Sequence, residues 1–225
     1  MQSYHRTLAA TVGALLVLTG CTSDDDEPDS PPVVQLGSPG EPNRTLTDEE
    51  VSNLDTPDYT DGDVEFVQGM IPHHAQALTM TAMVADRAAS PDLPLMAERM
   101  DVSQRDEIRL MEKWLEDRGK EVPDASSDHG HGDGTAELMP GMLTDDELAQ
   151  LEQATGREFD TLFLQYMIRH HEGARVMVAD LLSGKGGGGQ EPEVFQLAQH
   201  IDSDQSIEIA RMKSLLAEFA ASPAP

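Results

Sequence analysis

The sequence has few of the residues on which many binding and catalytic sites depend. Cys21 is its one cysteine, which excludes intramolecular disulfides, thiolate zinc fingers and Cys-ligated clusters. Lys and Arg together number 15 against 42 Asp and Glu, for a formal net charge of -27. Because phosphate binding requires clustered Lys and Arg, this balance argues against nucleic acid and anionic lipid headgroups as partners. Aromatic residues make up 4% and hydrophobic residues 38% of the chain, so only part of it forms a core.

Motifs of several common enzyme classes are also missing. The chain contains no Gly-x-Ser-x-Gly elbow, no His-Glu-x-x-His zinc motif and no Glu-x-x-His motif of ferritin-like di-iron sites. The glycine run at 186–189 is not a phosphate loop, because neither Lys-Ser nor Lys-Thr follows it and no predicted strand precedes it. The sequence therefore predicts a protein that is not an enzyme.

The N-terminus is predicted to be a targeting signal. The apolar run at 8–18 has about eleven residues, too few to cross a bilayer. It leads into Leu18-Thr19-Gly20-Cys21, which resembles a bacterial lipobox and implies cleavage before Cys21 and a lipid on its sulfur. Residues 1–20 are then a lipoprotein signal peptide. The protein is predicted to be exported and anchored to the extracytoplasmic face of the cell membrane by lipid alone. An ordinary signal peptide with an incidental cysteine is the alternative.

A linker follows the lipobox. Residues 21–43 are rich in Asp, Pro, Ser and Gly and have no apolar periodicity, so they bury too little surface to fold. They are predicted to be a disordered tether that holds a domain at 44–221 away from the membrane.

The predicted domain is an internal repeat, with matches at offsets of 97 and then 101 residues. The first-copy positions matched at the first offset include Leu46, Thr47, Asp63, Phe66, Met70, His73, His74, Ala77 and Met80. Those matched at the second offset include Pro91, Ala97, Asp101, Gln104, Glu107, Ile108, Met111 and Leu115. The matches predict a duplicated two-helix unit, with repeat one at 46–118, a crossover linker at 119–142 and repeat two at 143–220.

Both repeats are predicted to be helical hairpins. Apolar residues recur at alternating four- and three-residue steps, which is typical of one helix face. Thr47 with Glu50 and Thr144 with Glu147 form capping-box patterns that predict short lead-in helices. Pro72 predicts either a kink in the first long helix or a later start for it.

The predicted fold class is all-α, a four-helix bundle built from two repeated helical hairpins with short lead-in helices. The linker at 119–142 is long enough to cross the length of a bundle, at about 3.3 Å per extended residue. A ferritin-like arrangement with one long crossover and a simple up-down bundle therefore both agree with the pattern.

The first long helix of each hairpin carries the motif Met-x-x-His-His. Positions i, i+3 and i+4 share a helix face, so one thioether and two imidazoles project to nearly the same place. Imidazole suits copper, zinc, iron and nickel, whereas thioether favours Cu(I), so the mixed set points to copper as Cu(I), Cu(II) or both. The alternative is a core pattern whose histidines are hydrogen-bonded without metal. The candidate metal ligands are Met70, His73, His74, Met167, His170 and His171.

Other residues are weaker candidates for metal binding. Met80 and Met177 lie two turns beyond the histidines and fit a second site, an entry step or plain core. His129 and His131 in the linker fit a loose surface site for Cu(II) or Zn(II), or a solvated polar segment. Hydrogen bonds that orient the imidazoles are expected from Asp101, Gln104, Asp202 and Gln205.

The two helix motifs together resemble the DUF305 family, whose members carry Met-x-x-His-His and a later Gln-x-x-Glu-Ile-x-x-Met helix. The later motif begins at Gln104 in one copy and at Gln205 in the other, and the resemblance covers about 46–219. It implies an exported ferritin-like helical bundle, with copper binding in some members. The two copies differ locally, because Gly69 stands where the second copy has Tyr166.

The leading functional hypothesis is a lipid-anchored protein that binds copper for sequestration, tolerance or delivery. A metal-free cell-surface bundle with a structural or stress-interaction role is the first alternative. A redox enzyme with a metal in the bundle core is the second. The sequence leaves open whether an ion binds within one chain or across a homodimer.

Overall fold

The computed structural model describes residues 32–35, 42–52, 58–124, 138–184 and 187–221. Over these residues the chain forms seven helices and one short antiparallel ladder, which confirms the all-α prediction. The elements divide into two compact units, one ending at Leu54 and the other beginning at Asp55. None of the helices in the described part is long and apolar enough to cross a membrane.

The first unit contains two strands and one helix. Strand β1 (Val34–Gln35) pairs with β2 (Arg44–Thr45), and helix α1 (Asp48–Ser52) follows. The predicted capping box is present: the Thr47 backbone N–H donates to Glu50, and the Glu50 backbone N–H donates to the Thr47 hydroxyl. β1 lies within the predicted tether, whereas Cys21 lies outside the described residues. The signal peptide and tether therefore stay predictions.

The second unit is a four-helix bundle, as predicted. Helix α2 (Asp61–Ala82) packs on α4 (Leu93–Asp117), and α6 (Gly156–Leu182) packs on α7 (Pro192–Ala221). The two hairpins meet where α2 packs against α6. The short helices α3 (Val84–Arg87) and α5 (Asp145–Gln153) precede α4 and α6.

The connection between the hairpins crosses the length of the bundle. Ala88, just beyond α3, forms a bridge with Gly156, so α6 begins at the end of the bundle where α4 also begins. At the other end, Trp114 near the C-terminus of α4 donates to Glu191, which immediately precedes α7, at 3.4 Å. Helices α4 and α6 therefore run parallel, and α2 and α6 run antiparallel. The fold is the ferritin-like arrangement with one long crossover.

Two buried aspartates tie each hairpin to a loop of the other. Asp63, near the start of α2, accepts a hydrogen bond from Gly189 N at 2.6 Å. Asp160, its predicted counterpart in α6, accepts from Ala89 N at 3.0 Å and Ser90 N at 2.8 Å. Both carboxylates therefore satisfy loop N–H groups that would otherwise be buried without a partner.

Proline and glycine mark several helix boundaries in the structure. Pro192 is the first residue of α7. Helix α4 ends at Asp117, and Gly119 just beyond it has φ +61, with the Lys120 N–H donating to Leu115 O as in a Schellman motif. Helix α2 begins eleven residues before Pro72 and continues past it, so the alternative of a later start is not what the structure has.

Candidate metal centre

Four histidines lie in the middle of the bundle. His73 and His74 on α2 and His170 and His171 on α6 are each 0% exposed. The rings of His73 and His170 are in contact, with centroids 3.9 Å apart and planes tilted by 39°. Burying imidazoles is costly unless their nitrogens are satisfied, so this cluster needs a chemical reason.

One thioether lies on each side of the His73–His170 contact. Met70 belongs to the core cluster that contains Ala174, and Met167 belongs to the cluster that contains Ala77. Both methionines are fully buried. Because α2 and α6 are antiparallel, Met70 lies one turn towards one end of the bundle and Met167 one turn towards the other. The two methionines therefore flank the histidine contact along the bundle axis, one turn away on either side.

A glutamate from the partner helix holds each outer histidine. His74 Nε2 lies 2.7 Å from Glu107 on α4, and His171 Nε2 lies 2.7 Å from Glu208 on α7. A carboxylate accepts, so Nε2 carries the proton and donates. Each Nδ1 is buried without a hydrogen-bond partner in the described part of the chain. A carboxylate on one ring nitrogen and an unpartnered second nitrogen is the arrangement common to histidines that bind metals.

The two central histidines have different surroundings. His73 Nε2 donates to the Pro140 carbonyl at 2.9 Å, which places the basic lone pair of the neutral ring on Nδ1. Neither nitrogen of His170 makes a hydrogen bond of good geometry among the described residues, and only the His73 backbone interacts weakly with the ring. Burial, and then the nearby His73, His171 and His74, hold the pKa of His170 well below its ordinary value. His170 is therefore neutral near pH 7, as metal ligation requires.

The hydrogen-bond partners of the outer histidines differ from the predicted ones. Asp101 pairs with Arg105 on the surface at 2.7 Å, and Asp202 pairs with Arg175 at 2.8 Å. Asp101 pairs within α4 and Asp202 pairs across to α6, and both carboxylates remain partly exposed rather than contacting the imidazoles.

The other two predicted partners do reach the interior. Gln104 and Gln205 are both 2% exposed, and their amide nitrogens and oxygens have no partner in the described part of the chain. The glutamates that bind the imidazoles were missed, although the repeat itself carries the signal. Glu107 matches Glu208, and each lies one helical turn beyond its glutamine.

The centre carries negative charge on its α4–α7 side. Burial, followed by the carboxylates of Glu107 and Glu208, raises the pKa of Asp204 above its ordinary value. The three carboxylates are therefore close enough to interact and to attract a cation.

The donor set depends on sulfur. Within the described residues, no three His, Cys, Asp or Glu side chains form a group that could hold a metal ion. A site at the His73–His170 contact therefore requires thioethers or rearranged imidazoles. Met80 is fully buried in the cluster that contains Met167, and Met177 is half-buried near Gly69. His129 and His131 lie outside the described residues.

The chain matches the family model described as "Domain of unknown function (DUF305)" over residues 63–216. A DUF305 fragment from Deinococcus radiodurans has a similar structure, at 32% identity and a TM-score of 0.62, covering 72% of this chain and 100% of that one. A DUF305 protein of Streptomyces coelicolor that is named as a secreted protein is 27% identical, with a TM-score of 0.59 and coverages of 73% and 97%.

A third similar structure is CopM in its Cu(II)-bound form, which is 28% identical. Its TM-score is 0.56, and the match covers 70% of this chain and 97% of that one. CopM has also been solved in Cu(I)-bound, silver-bound and apo forms. Among curated proteins, an uncharacterised protein of Acanthamoeba polyphaga mimivirus is 36% identical over 56 residues. The match spans 25% of this chain and 37% of that relative's length.

Proposed function

The chain belongs to the DUF305 family, and from that premise we propose that it is an exported protein that binds copper between α2 and α6. His73 and His170 supply the central nitrogen ligands, and Met70 and Met167 supply a thioether on either side. His74 and His171 complete the set through their Nδ1 atoms. The role is binding rather than catalysis.

The observation that carries this proposal is the state of His170. Its ring is fully buried and neutral, lies against His73, and makes no hydrogen bond of good geometry in the described residues beyond a weak interaction with the His73 backbone. A buried polar group left without a partner costs about 1–3 kcal/mol. A metal-free bundle accounts for the Nε2 atoms of His74 and His171 through their glutamates, but it leaves His170 unexplained.

The chemistry of the donor set fits copper. Imidazole–metal bonds are about 2 Å long, so two nitrogens on one ion are at most about 4 Å apart. The His73 and His170 rings are in contact, with centroids 3.9 Å apart, so a modest rotation of the rings would turn one nitrogen of each towards a shared ion. Thioethers select Cu(I) over harder cations, and the buried alanines Ala77 and Ala174 leave space beside the rings.

Full burial favours retention of the ion over rapid exchange. All four imidazoles and both thioethers are 0% exposed, so an ion enters or leaves only when helices separate or side chains move. Among sequestration, tolerance and delivery, this geometry fits sequestration best, with tolerance to excess copper as the consequence. CopM, whose Cu(I)- and Cu(II)-bound forms have been solved, supports copper as the cargo.

Copper titration in the presence of a competing chelator tests the proposal. We expect one tightly held Cu(I) per chain, and weaker binding of Cu(II). Replacing Met70 and Met167 with leucine keeps the core volume, so we expect Cu(I) affinity to fall at least about tenfold and Cu(II) affinity to change less. Equal losses for both ions would argue against thioether ligation. Absence of tight binding by either ion would overturn the proposed function.

We also propose that a lipid on Cys21 anchors the protein on the extracytoplasmic side of the membrane. The lipobox pattern at 18–21 and the secreted DUF305 relative support this. Replacing Cys21 with serine removes the sulfur that carries the lipid, so the protein is expected to move from the membrane fraction to the soluble one. Cell fractionation measures this. A serine variant that stays with the membranes would mean that another segment is the anchor.

A further inference from the structure

A pair of methionines meets above Gly69 on the surface of α2. A Cβ built on this glycine would lie 3.4 Å from Met139 Sδ and 3.4 Å from Met177 Cε. Both methionines are half-buried rather than enclosed. They line an open groove of about 520 Å³ together with Glu65 and Asp180. The groove therefore presents two thioethers, with the exposed carboxylate of Glu65 beside them.

The equivalent place in the other hairpin is closed. At the repeat offset of 97, Gly69 corresponds to Tyr166 and Met177 corresponds to Met80. Tyr166 packs on the same core cluster as Met80, which is 0% exposed. The same methionine position is thus core in one hairpin and accessible in the other, because glycine replaces tyrosine. A methionine that served only as core filling would not need this opening.

The backbone at 139–140 links the groove to the candidate metal centre. Met139 directly precedes Pro140, whose carbonyl accepts the hydrogen bond from His73. The segment is fixed by Gln76, which donates to Leu143 O at 3.0 Å and accepts from Leu143 N at 2.7 Å. Met139 is therefore held one residue away from a contact with a central histidine.

We propose that Met139 and Met177 form an accessible binding site for a soft monovalent cation, Cu(I) or Ag(I), from which the ion passes to the buried histidines. Thioether sulfur prefers soft cations. The exposed carboxylate of Glu65 raises the local cation concentration without competing as a soft ligand. Binding at the groove stands on its own geometry, whereas passage to the histidines rests on the proposed function.

Silver ions added to the full chain in mild detergent test binding at the groove. With the methionine methyl groups labelled with ¹³C, we expect the signals of Met139 and Met177 to shift first, below one equivalent of Ag(I). Substitution of each methionine by leucine assigns its signal. Shifts that begin at Met70 or Met167, or that appear at no methionine, would overturn the groove site.

Transfer to the centre is tested by the rate of Cu(I) loading from a chelator. Met139→Leu with Met177→Leu is expected to slow loading at least about tenfold, since two soft donors are removed, while the final copper content is kept. Gly69→Tyr, which installs the residue of the closed hairpin, should slow loading similarly. Met100→Leu, which replaces a fully buried methionine outside the groove, is the matched control and should load at the normal rate. An unchanged rate in both groove variants would overturn transfer through this site.

The two proposals fail separately. In the chain carrying His73→Ala and His170→Ala, silver should still shift Met139 and Met177, because the groove does not need the histidines. Loss of those shifts in this variant, with the helices intact, would show that the methionines respond only to an ion at the centre and would overturn an independent groove site.

Discussion

Replacing His73 and His170 together with alanine is expected to abolish tight copper binding while the bundle stays folded. The two rings are in contact at the α2–α6 interface and supply the central nitrogen donors of the proposed site. Loss of a residue that hydrogen-bonds to a metal ligand already weakens metal affinity by about 10–100-fold. Loss of two ligands should therefore weaken copper affinity more than about 100-fold. Chelator competition measures the affinity, and circular dichroism measures the helices.

The matched control is His200→Ala, which removes an exposed histidine of α7 away from the ring contact. It should bind copper as the unmodified chain does. Tight one-to-one copper binding in the double variant, with helicity intact, would move the site elsewhere. His129 and His131 in the crossover would then be the next residues to replace.

The same variant gives a second readout through acid stability. Because the pKa of His170 lies well below 6.5 in the folded chain, the unfolded chain takes up a proton below pH 6.5 that the folded chain does not. This difference lowers the free energy of unfolding by about 1.4 kcal/mol for each pH unit below about 6.5. The metal-free double variant should lack this component. Carboxylates whose pKa is lowered by folding, such as Glu147 with a pKa of about 2, reduce the free energy of unfolding only below about pH 4.5.

Periodicity and capping were enough to predict the elements of the bundle. Apolar residues at helical spacing predicted all four long helices, and the patterns at Thr47 and Thr144 predicted where two short helices begin. These signals are local, because each depends on residues within one or two turns. The direction of the second hairpin was not decided by such signals. It depends on contacts such as Ala88 with Gly156, which are far apart in the chain.

The sequence predicted the candidate ligands of the site, but it did not predict the residues that hydrogen-bond to the histidines. Met-x-x-His-His identifies a shared helix face, and the repeat places two such faces in one chain. The glutamate partners depend on how α4 lies against α2, and this decides that Glu107 rather than Asp101 points inwards. The contact of Pro140 with His73 depends on the path of the crossover, and the sequence predicted only the length of this segment.

Substituting Gly173 with alanine is expected to destabilise the bundle strongly, although glycine is a poor helix former. Gly173 lies inside α6, where alanine ordinarily adds about 1 kcal/mol to stability. A Cβ at this position would overlap the Pro140 carbonyl group and would lie 2.6 Å from Gly141 Cα. These neighbours are backbone atoms, so a side-chain rotation cannot relieve the overlap.

The crossover must then move away from α6, with further losses. Gly141 has φ +79 and faces Gly173, so the two glycines allow direct contact between backbones. Displacement would break the hydrogen bonds of Pro140 with His73 and of Leu143 with Gln76. Overpacking costs about 1–3 kcal/mol and the three hydrogen bonds cost about 1 kcal/mol each, against about 1 kcal/mol gained from the helix propensity of alanine, so we expect a net loss of about 3–5 kcal/mol. Thermal unfolding should show a Tm about 10 °C lower.

Gly69→Ala is the matched control for this prediction. Gly69 is also a glycine inside a long helix, but a Cβ there meets only the flexible ends of Met139 and Met177, at 3.4 Å. Alanine should therefore be neutral or stabilising at Gly69 and strongly destabilising at Gly173. The repeat shows why Gly173 is sensitive. Gly173 corresponds to Gln76 of the first hairpin, and both positions face the crossover. One binds the crossover backbone with an amide and the other makes room for it. If both alanine variants unfolded at the same temperature, the crossover would not be packed against α6, and His73 would lack its fixed orientation.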